Sequence, residues 1–275
     1  MREDSHKSAD IIRSRTGGGA IDIGLVLSAG LAAIADQVTS PVAINYEELP
    51  GFIRPRLGNQ VGQCVVGTLG SARVAVLKGR THYHEQGDID GMRVAIETLK
   101  LIGASTLVLT GAAGSVKKEI GPGAFVALRD HINLTGINPL IGADGDNMSI
   151  DLSQAYDANL RERFALGASE VGRKTAEGTL MWFPGPNYET PAEINAARVL
   201  GADLVGMSMV PKTIIARQLG LRVLAIATVT NYAAGLSQEP LSREQSMRVA
   251  GAATASLTRI LMKFFEHWVV DARSR

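Results

Sequence analysis

Arg80 and His82 stand two residues apart, directly after an apolar run at 74–78. Side chains two apart on an extended segment point to the same side. The pair therefore sets a guanidinium and an imidazole before a single anion. His84 repeats the spacing and Glu85 follows it, which invites a metal reading. With five histidines in the chain and no third ligand in register, no metal is expected. Taken alone, the pair reads more often as a solvated arginine beside a histidine packed in a loop.

Other chemically capable residues also sit where apolar runs end. Residues 111–114, Gly-Ala-Ala-Gly, close the run at 106–110 and offer main-chain N–H groups to an oxyanion, or else form a tight turn. Ser28-Ala29-Gly30 after the first run has the same two readings. It is not a dinucleotide fingerprint, because the G-x-G-x-x-G spacing is missing. Glu189 precedes Thr190-Pro191-Ala192-Glu193, a capping box with proline at the first helical position. Glu193 is thus a cap, while Glu189 is free to project from the loop. Asn231 ends the run at 223–230, where asparagine is usually a turn residue. A shared site needs Glu189 and Asn231 to converge.

These positions require a frame. Runs at 21–27, 64–68, 74–78, 106–110, 125–128, 179–183, 204–207 and 223–230 read as strands. Segments 91–101, 154–170, 191–200, 211–219 and 242–265 read as helices, and residues 69–71 as a hairpin turn. Alternating strands and helices imply an α/β fold, a mixed, largely parallel sheet in a single three-layer domain. Ligands of such sheets bind beyond the strand C-termini. That rule singles out the loops 28–31, 79–85, 111–114 and 185–190, with Ser208 and residues 230–231. Residues 9–15 read as a short helical arm and Gly17-Gly18-Gly19 as a hinge, giving an arm over 1–20 and one domain over 21–275.

Composition narrows the classes. The chain has 275 residues, 45% hydrophobic and 20% charged, with a net charge of +1. Its basic residues are dispersed, which argues against a nucleic-acid stripe or a polybasic membrane patch. Apolar runs are too short to span a bilayer. Cys64 is the only cysteine, so no intrachain disulfide is possible, and the cytoplasm is the expected compartment.

Taken together the segments resemble the trimeric purine nucleoside phosphorylases, from about Ile21 to Phe265. The resemblance lies in GRTHYHE (79–85), VLTGAAG (108–114), LRDHINLTGINPL (128–140), GPNYETPAEI (185–194), GADLVGMSMVP (201–211) and ATVTNYAAGLS (227–237). VAINYEELPGF (42–52) and Leu241-Ser242 are similar to proteobacterial members, including xanthosine-cleaving ones. The resemblance implies phosphorolysis of 6-oxopurine nucleosides such as inosine, guanosine and xanthosine. It implies no cofactor, inorganic phosphate as co-substrate, and a homotrimer with sites completed by a neighbour's aromatic side chain. Arg80, His82, Ser208 and the Ala112 backbone, with Ser28 beside them, would hold phosphate. Tyr188, Glu189, Val205 and Asn231 would hold the purine; His84, Met207 and Arg243 would face the ribose. Asn231, Glu189 and His82 would be catalytic.

The chain departs from the family pattern at Ala29, where a phosphate-binding serine is usual, and at Gln60, where a histidine is usual. Lys212 replaces an acid, His84 a tyrosine and Arg243 a histidine. A hydrolytic nucleosidase and a non-catalytic purine-binding protein on the same scaffold are the competing readings. No aromatic residue occurs in 146–150, where the neighbour's contribution is expected.

Overall fold

The computed structural model describes residues 1–28, 30–55, 61–142 and 149–268. The predicted Ala29 and Gln60 departures lie outside the described residues, as do residues 146–148. Among the described residues nine strands build one sheet: β1 (Ile23–Leu27), β2 (Thr39–Asn45), β3 (Gln63–Leu69), β4 (Ala72–Lys78), β5 (Thr106–Ser115), β6 (Phe125–Ile132), β7 (Ala176–Trp182), β8 (Leu204–Gly206) and β9 (Arg222–Tyr232). Seven α-helices among the described residues accompany them: α1 (Glu3–Arg15), α2 (Tyr83–Gln86), α3 (Arg93–Leu101), α4 (Ala158–Glu170), α5 (Pro191–Val199), α6 (Met209–Gln218) and α7 (Arg243–Glu266).

The strand order is β2-β3-β4-β1-β5-β8-β7-β6-β9, and β9 pairs back onto β5. Five strands therefore close into a ring, while β2, β3, β4 and β1 extend from it as an open wing. Strands β1, β4, β5 and β9 run parallel, as do β6, β7 and β8; β5–β8, β6–β9 and the β2–β3–β4 hairpins are antiparallel. The mixed α/β sheet is thus present, and its closure is a feature that linear spacing does not reveal.

Layering follows from side-chain alternation. Leu107 and Leu109 face one core with Ile96 and Leu99 of α3 and Ile214 and Ile215 of α6. Val108 faces the other, with Leu160 and Phe164 of α4 and Leu257, Ile260 and Phe264 of α7. A strand covered on both faces reads as one apolar run, which is why β1 (IGLVL) was legible. Gly24 is needed there: an added Cβ would lie 2.6 Å from a Leu99 methyl, so α3 seats directly on the strand.

Several boundaries differ from the sequence expectation, each for a physical reason. Strand β2 escaped notice because it is a mostly exposed edge strand carrying Pro41, with little apolar signal. Strand β5 runs on through Gly111–Ser115, so no tight turn forms there; β8 and β9 supply partners for the added residues. Helix α6 starts at Met209 because proline is tolerated within a first turn, which has no intrahelical N–H bond to lose. Helix α4 starts at Ala158, where Asp157 accepts the Leu160 N–H at 2.9 Å. Helix α1 begins at Glu3, six residues before the expected arm. It docks on α3: the Ser5 hydroxyl donates to Glu97 at 2.7 Å and Ile12 is buried.

The β5–β9 register contains one irregularity that matters for function. Ala113 pairs with Val229, but Gly114 pairs with Asn231, so Thr230 is passed over. A skipped residue re-aims the side chains that follow it.

Candidate active site

One cavity of about 350 Å³ opens at the sheet. Its lining includes the twelve residues to which the resemblance gives a role: Ser28, Arg80, His82, His84, Ala112, Tyr188, Glu189, Val205, Met207, Ser208, Asn231 and Arg243. Every one of the predicted loops contributes, so Glu189 and Asn231 do converge.

The cationic part is built from β1, β4, β5 and the start of α6. Arg80 is buried after β4, and its guanidinium donates to the Thr110 carbonyl of β5. Burial lowers the Arg80 pKa to about 10, against the opposing pull of Glu85, so it stays charged at neutral pH. The Thr110 hydroxyl accepts the Ser28 N–H at 2.8 Å and donates to the Val26 carbonyl at 3.1 Å, pinning the first loop to β5. His82 caps α2: Glu85 Oε1 accepts the His82 backbone N–H at 2.7 Å and its Nδ1–H at 2.9 Å. Burial first, then the charges of Arg80, Lys212 and His84, push its pKa down to about 4 despite Glu85. His82 is therefore neutral at physiological pH, with Nδ1 committed to Glu85 and Nε2 left as an acceptor. Ser208 is the N-cap of α6, so that helix brings its positive end to the cavity.

The other part of the lining suits a flat polar ring. Glu189 is 8% exposed, and burial raises its pKa from the ordinary carboxylate value, with Glu193 adding to the effect. Its position is set by α5, which is capped by the next residue. The Thr190 hydroxyl accepts the Glu193 N–H at 3.2 Å, and Glu193 accepts the Thr190 N–H at 2.7 Å, closing the expected capping box. Asn231 is oriented by its neighbours: Oδ1 accepts the Thr230 hydroxyl at 2.8 Å and Nδ2 donates to the Tyr232 carbonyl at 2.9 Å. One amide hydrogen and part of the oxygen remain for a ligand. A Cβ on Gly114 would stand 3.1 Å from Asn231 Nδ2 and 3.3 Å from Val205, so glycine lets this amide lie against the strand.

Met207 and His84 meet at Gly185. An added Cβ there would fall 2.7 Å from the Met207 sulfur and 2.9 Å from His84 Nδ1. Gly185 also has φ of +73°, which disfavours any other residue. His84 Nδ1 lies 3.2 Å from the Pro184 carbonyl, and its ring stacks on His82 at 5.0 Å. The two histidines thus stack face to face, with each Nδ1 already engaged. Among the described residues no group of three His, Cys, Asp or Glu side chains could hold a metal ion.

Sequence reasoning placed Arg243 at the site but missed the rest of the wall supplied by α7. Ser246, Met247 and Ala250 line the cavity beside Arg243, and the Tyr188 hydroxyl lies 3.5 Å from that of Ser246. Helical spacing gave away the helix but not how far along it the pocket reaches. Exposed Met247 on a mostly polar first turn is the only local signal.

The chain as a whole is similar to known proteins. A family model described as the phosphorylase superfamily matches residues 22–266. Purine nucleoside phosphorylase of Mycobacterium tuberculosis is 40% identical over 92% of this chain and 91% of its own. Purine nucleoside phosphorylase 1 of Geobacillus stearothermophilus is 37% identical over 87% and 88%. Schistosoma mansoni purine nucleoside phosphorylase in complex with inosine superposes with a TM-score of 0.91 at 31% identity, covering 98% of both chains. Isoform 2 from the same organism, in complex with cytosine and ribose-1-phosphate, gives 0.92 at 29%, also covering 98% of both. Among the described residues no helix is long and apolar enough to cross a membrane.

Proposed function

We propose that this chain, which belongs to the phosphorylase superfamily and within it to the purine nucleoside phosphorylases, cleaves 6-oxopurine ribonucleosides and deoxyribonucleosides with inorganic phosphate. The products are the free base and the pentose 1-phosphate. The observation that carries the reading is one cavity holding both a buried arginine and a buried carboxylate beside an oriented amide.

Arg80, Ser28, Ser208 and the β5 backbone at Ala112 hold the phosphate, with the N-terminal end of α6 adding its dipole. Neutral His82 accepts the remaining O–H of the phosphate dianion at Nε2. One phosphate oxygen attacks C1′ as the bond from C1′ to the purine N9 breaks. Positive charge grows on the ribose, and the bonding pair moves onto the purine. The anion beneath the sugar is both nucleophile and counter-charge. His84, Met207 and Arg243 face the ribose. Asn231 hydrogen-bonds N7 through its spare amide N–H as the ring becomes anionic, and the departing base takes its proton from solvent, while Tyr188 and Val205 flank the ring. Glu189 accepts N1–H, which hypoxanthine, guanine and xanthine possess and adenine lacks. An adenine would leave that buried acceptor unpaired, the kind of mismatch sites use to reject a base. Inosine and guanosine are the leading substrates, with xanthosine a third.

The decisive experiment measures base release from inosine with and without phosphate. Release that requires phosphate, with ribose 1-phosphate as co-product, is expected. Equal release without phosphate would establish a hydrolase instead, and purine binding without release a sensor. The arginine clamp supports the first outcome, because water needs no such clamp.

We assign residues 21–275 to a single phosphorylase domain in a cytoplasmic enzyme, with 1–20 as its arm. The assembly we propose is a homotrimer, the arrangement that the sequence resemblance implies. Sedimentation at micromolar concentration is expected to give about three times the 29.1 kDa chain mass. A fully active monomer would overturn that assembly.

A further inference from the structure

Lys212 is buried beneath the phosphate end of the cavity without lining it. It lies in the first turn of α6, whose N-cap Ser208 does line the cavity. Its Nζ donates to the Thr81 carbonyl at 3.0 Å and to the Met92 sulfur at 3.2 Å. Thr81 is the residue between Arg80 and His82. One ammonium therefore ties the anion-binding loop to the anion-binding helix from behind. Beside it is a cavity of about 30 Å³, lined also by Arg80, Thr81, Tyr46 and Met92, with room for a water molecule.

We propose that Lys212 is a positioning residue for phosphate, and that it takes up a proton from solvent when phosphate binds above it. The inference rests on the pocket being a phosphate site, and deepens that reading by giving it a regulation by pH.

The charge balance around the amine explains why. The charged and titratable groups facing it are Arg80 and His82 from the loop after β4 and Glu85 from α2; Met92 and Thr81 add only neutral acceptors. Burial first, and then the charge of Arg80, lower the Lys212 pKa to about 7, with Glu85 alone opposing. In the empty pocket the amine is thus partly neutral at physiological pH. A phosphate dianion held by Arg80 and His82 adds negative charge close by and restores the ammonium. The proton strengthens the Lys212 bond to Thr81 and sharpens the hold on the loop. By linkage, affinity for the phosphate dianion must fall as pH rises above about 7, where the proton has to be taken from a more dilute supply. His82 faces the same anion, but its pKa of about 4 places it too far from neutrality to take up much of a proton.

The test is calorimetric titration of the intact protein with inorganic phosphate, at about pH 8, in two buffers of different ionisation heat. The difference in heat gives the protons bound per phosphate. Comparing the parent with Lys212→Met cancels the proton exchange of phosphate itself. Proton uptake by the parent is expected to exceed that of Lys212→Met by roughly half a proton or more per phosphate. The parent's phosphate dissociation constant should be on the order of ten-fold lower than that of Lys212→Met below about pH 7, and nearly equal well above it. Lys212→Arg, charged throughout, should keep tight binding and lose the uptake. Equal uptake in parent and Lys212→Met would assign the proton to His82 and overturn the proposal. Should Lys212→Met not fold, the parent alone decides: affinity for the phosphate dianion, corrected for the ionisation of free phosphate, that does not fall between about pH 7 and 8.5 overturns it. Phosphate binding with this proton signature but no phosphorolysis of inosine would refute the enzyme reading alone. A parent that binds no phosphate would refute both.

Discussion

Asn231→Ala is expected to lower kcat/KM for inosine and guanosine by about 30- to 1,000-fold, or roughly 2–4 kcal/mol of transition-state stabilisation. The loss should fall mainly on kcat. Purine N7 gains its charge only as the glycosidic bond opens, so the Asn231 N–H bond strengthens in the transition state and hardly at all before it. Structure should survive the change: the side chain bonds its neighbours Thr230 and Tyr232, while the strand is held by backbone pairing to β5. Steady-state kinetics with both substrates, beside thermal unfolding, checks this. A variant in which only KM suffers would show that Asn231 binds the base without assisting its departure.

Glu189→Gln is the second large effect, and its signature lies in pH and base choice together. Glu189 must be ionised to accept N1–H, and its pKa is raised by burial. In the parent, kcat/KM for inosine should decline as pH falls through that raised value. The acid limb therefore stands above the ordinary carboxylate range, and it should vanish in the glutamine variant. A drop of about 30- to 1,000-fold on inosine at neutral pH is expected. Discrimination against adenosine should narrow, because the amide offers N1 a donor as well as an acceptor. The stability sign is opposite to the activity sign. A carboxyl whose folded pKa is raised favours its protonated form in the fold, so its contribution is full at low pH and lost as pH rises through that pKa. The glutamine variant should thus be at least as stable as the parent at neutral pH. An unchanged rate on guanosine would remove Glu189 from base recognition.

How much of this was legible beforehand depended on whether the signal was local. Buried strands such as β1 and β9 declare themselves as apolar runs, and Thr190-Pro191 fixes a helix start by its own chemistry. The rule that ligands lie beyond strand ends was enough to name loops from β1, β4, β5, β7 and β9 that meet at one cavity. Edge strand β2, with its exposed residues, gave no such run. The ring closure of β9 on β5 and the skipped Thr230 are relations between distant segments, and no window of sequence contains them. Lys212 was visible only as an unusual residue. That its amine reaches back 131 positions to the Thr81 carbonyl is a fact of packing.

Helix α7 has one end in the cavity and the other in the core. Its first seven residues are exposed or half-buried, and burial begins at Ala250; Leu257, Ile260, Leu261, Phe264 and Phe265 then anchor the remainder. The Thr254 hydroxyl, bonded to the Gly30 carbonyl at 2.8 Å, marks where the firm part is tied down. Opening free energy must therefore grade along one continuous rod, small at Arg243 and approaching the global value by Phe264. In the proposed reading, the wall against which a sugar would lie is the exposed, Ser242-capped start of a helix whose other end is anchored in the core. Amide exchange is expected to be faster over residues 243–249 than over 257–265, and to slow over the former when a nucleoside binds.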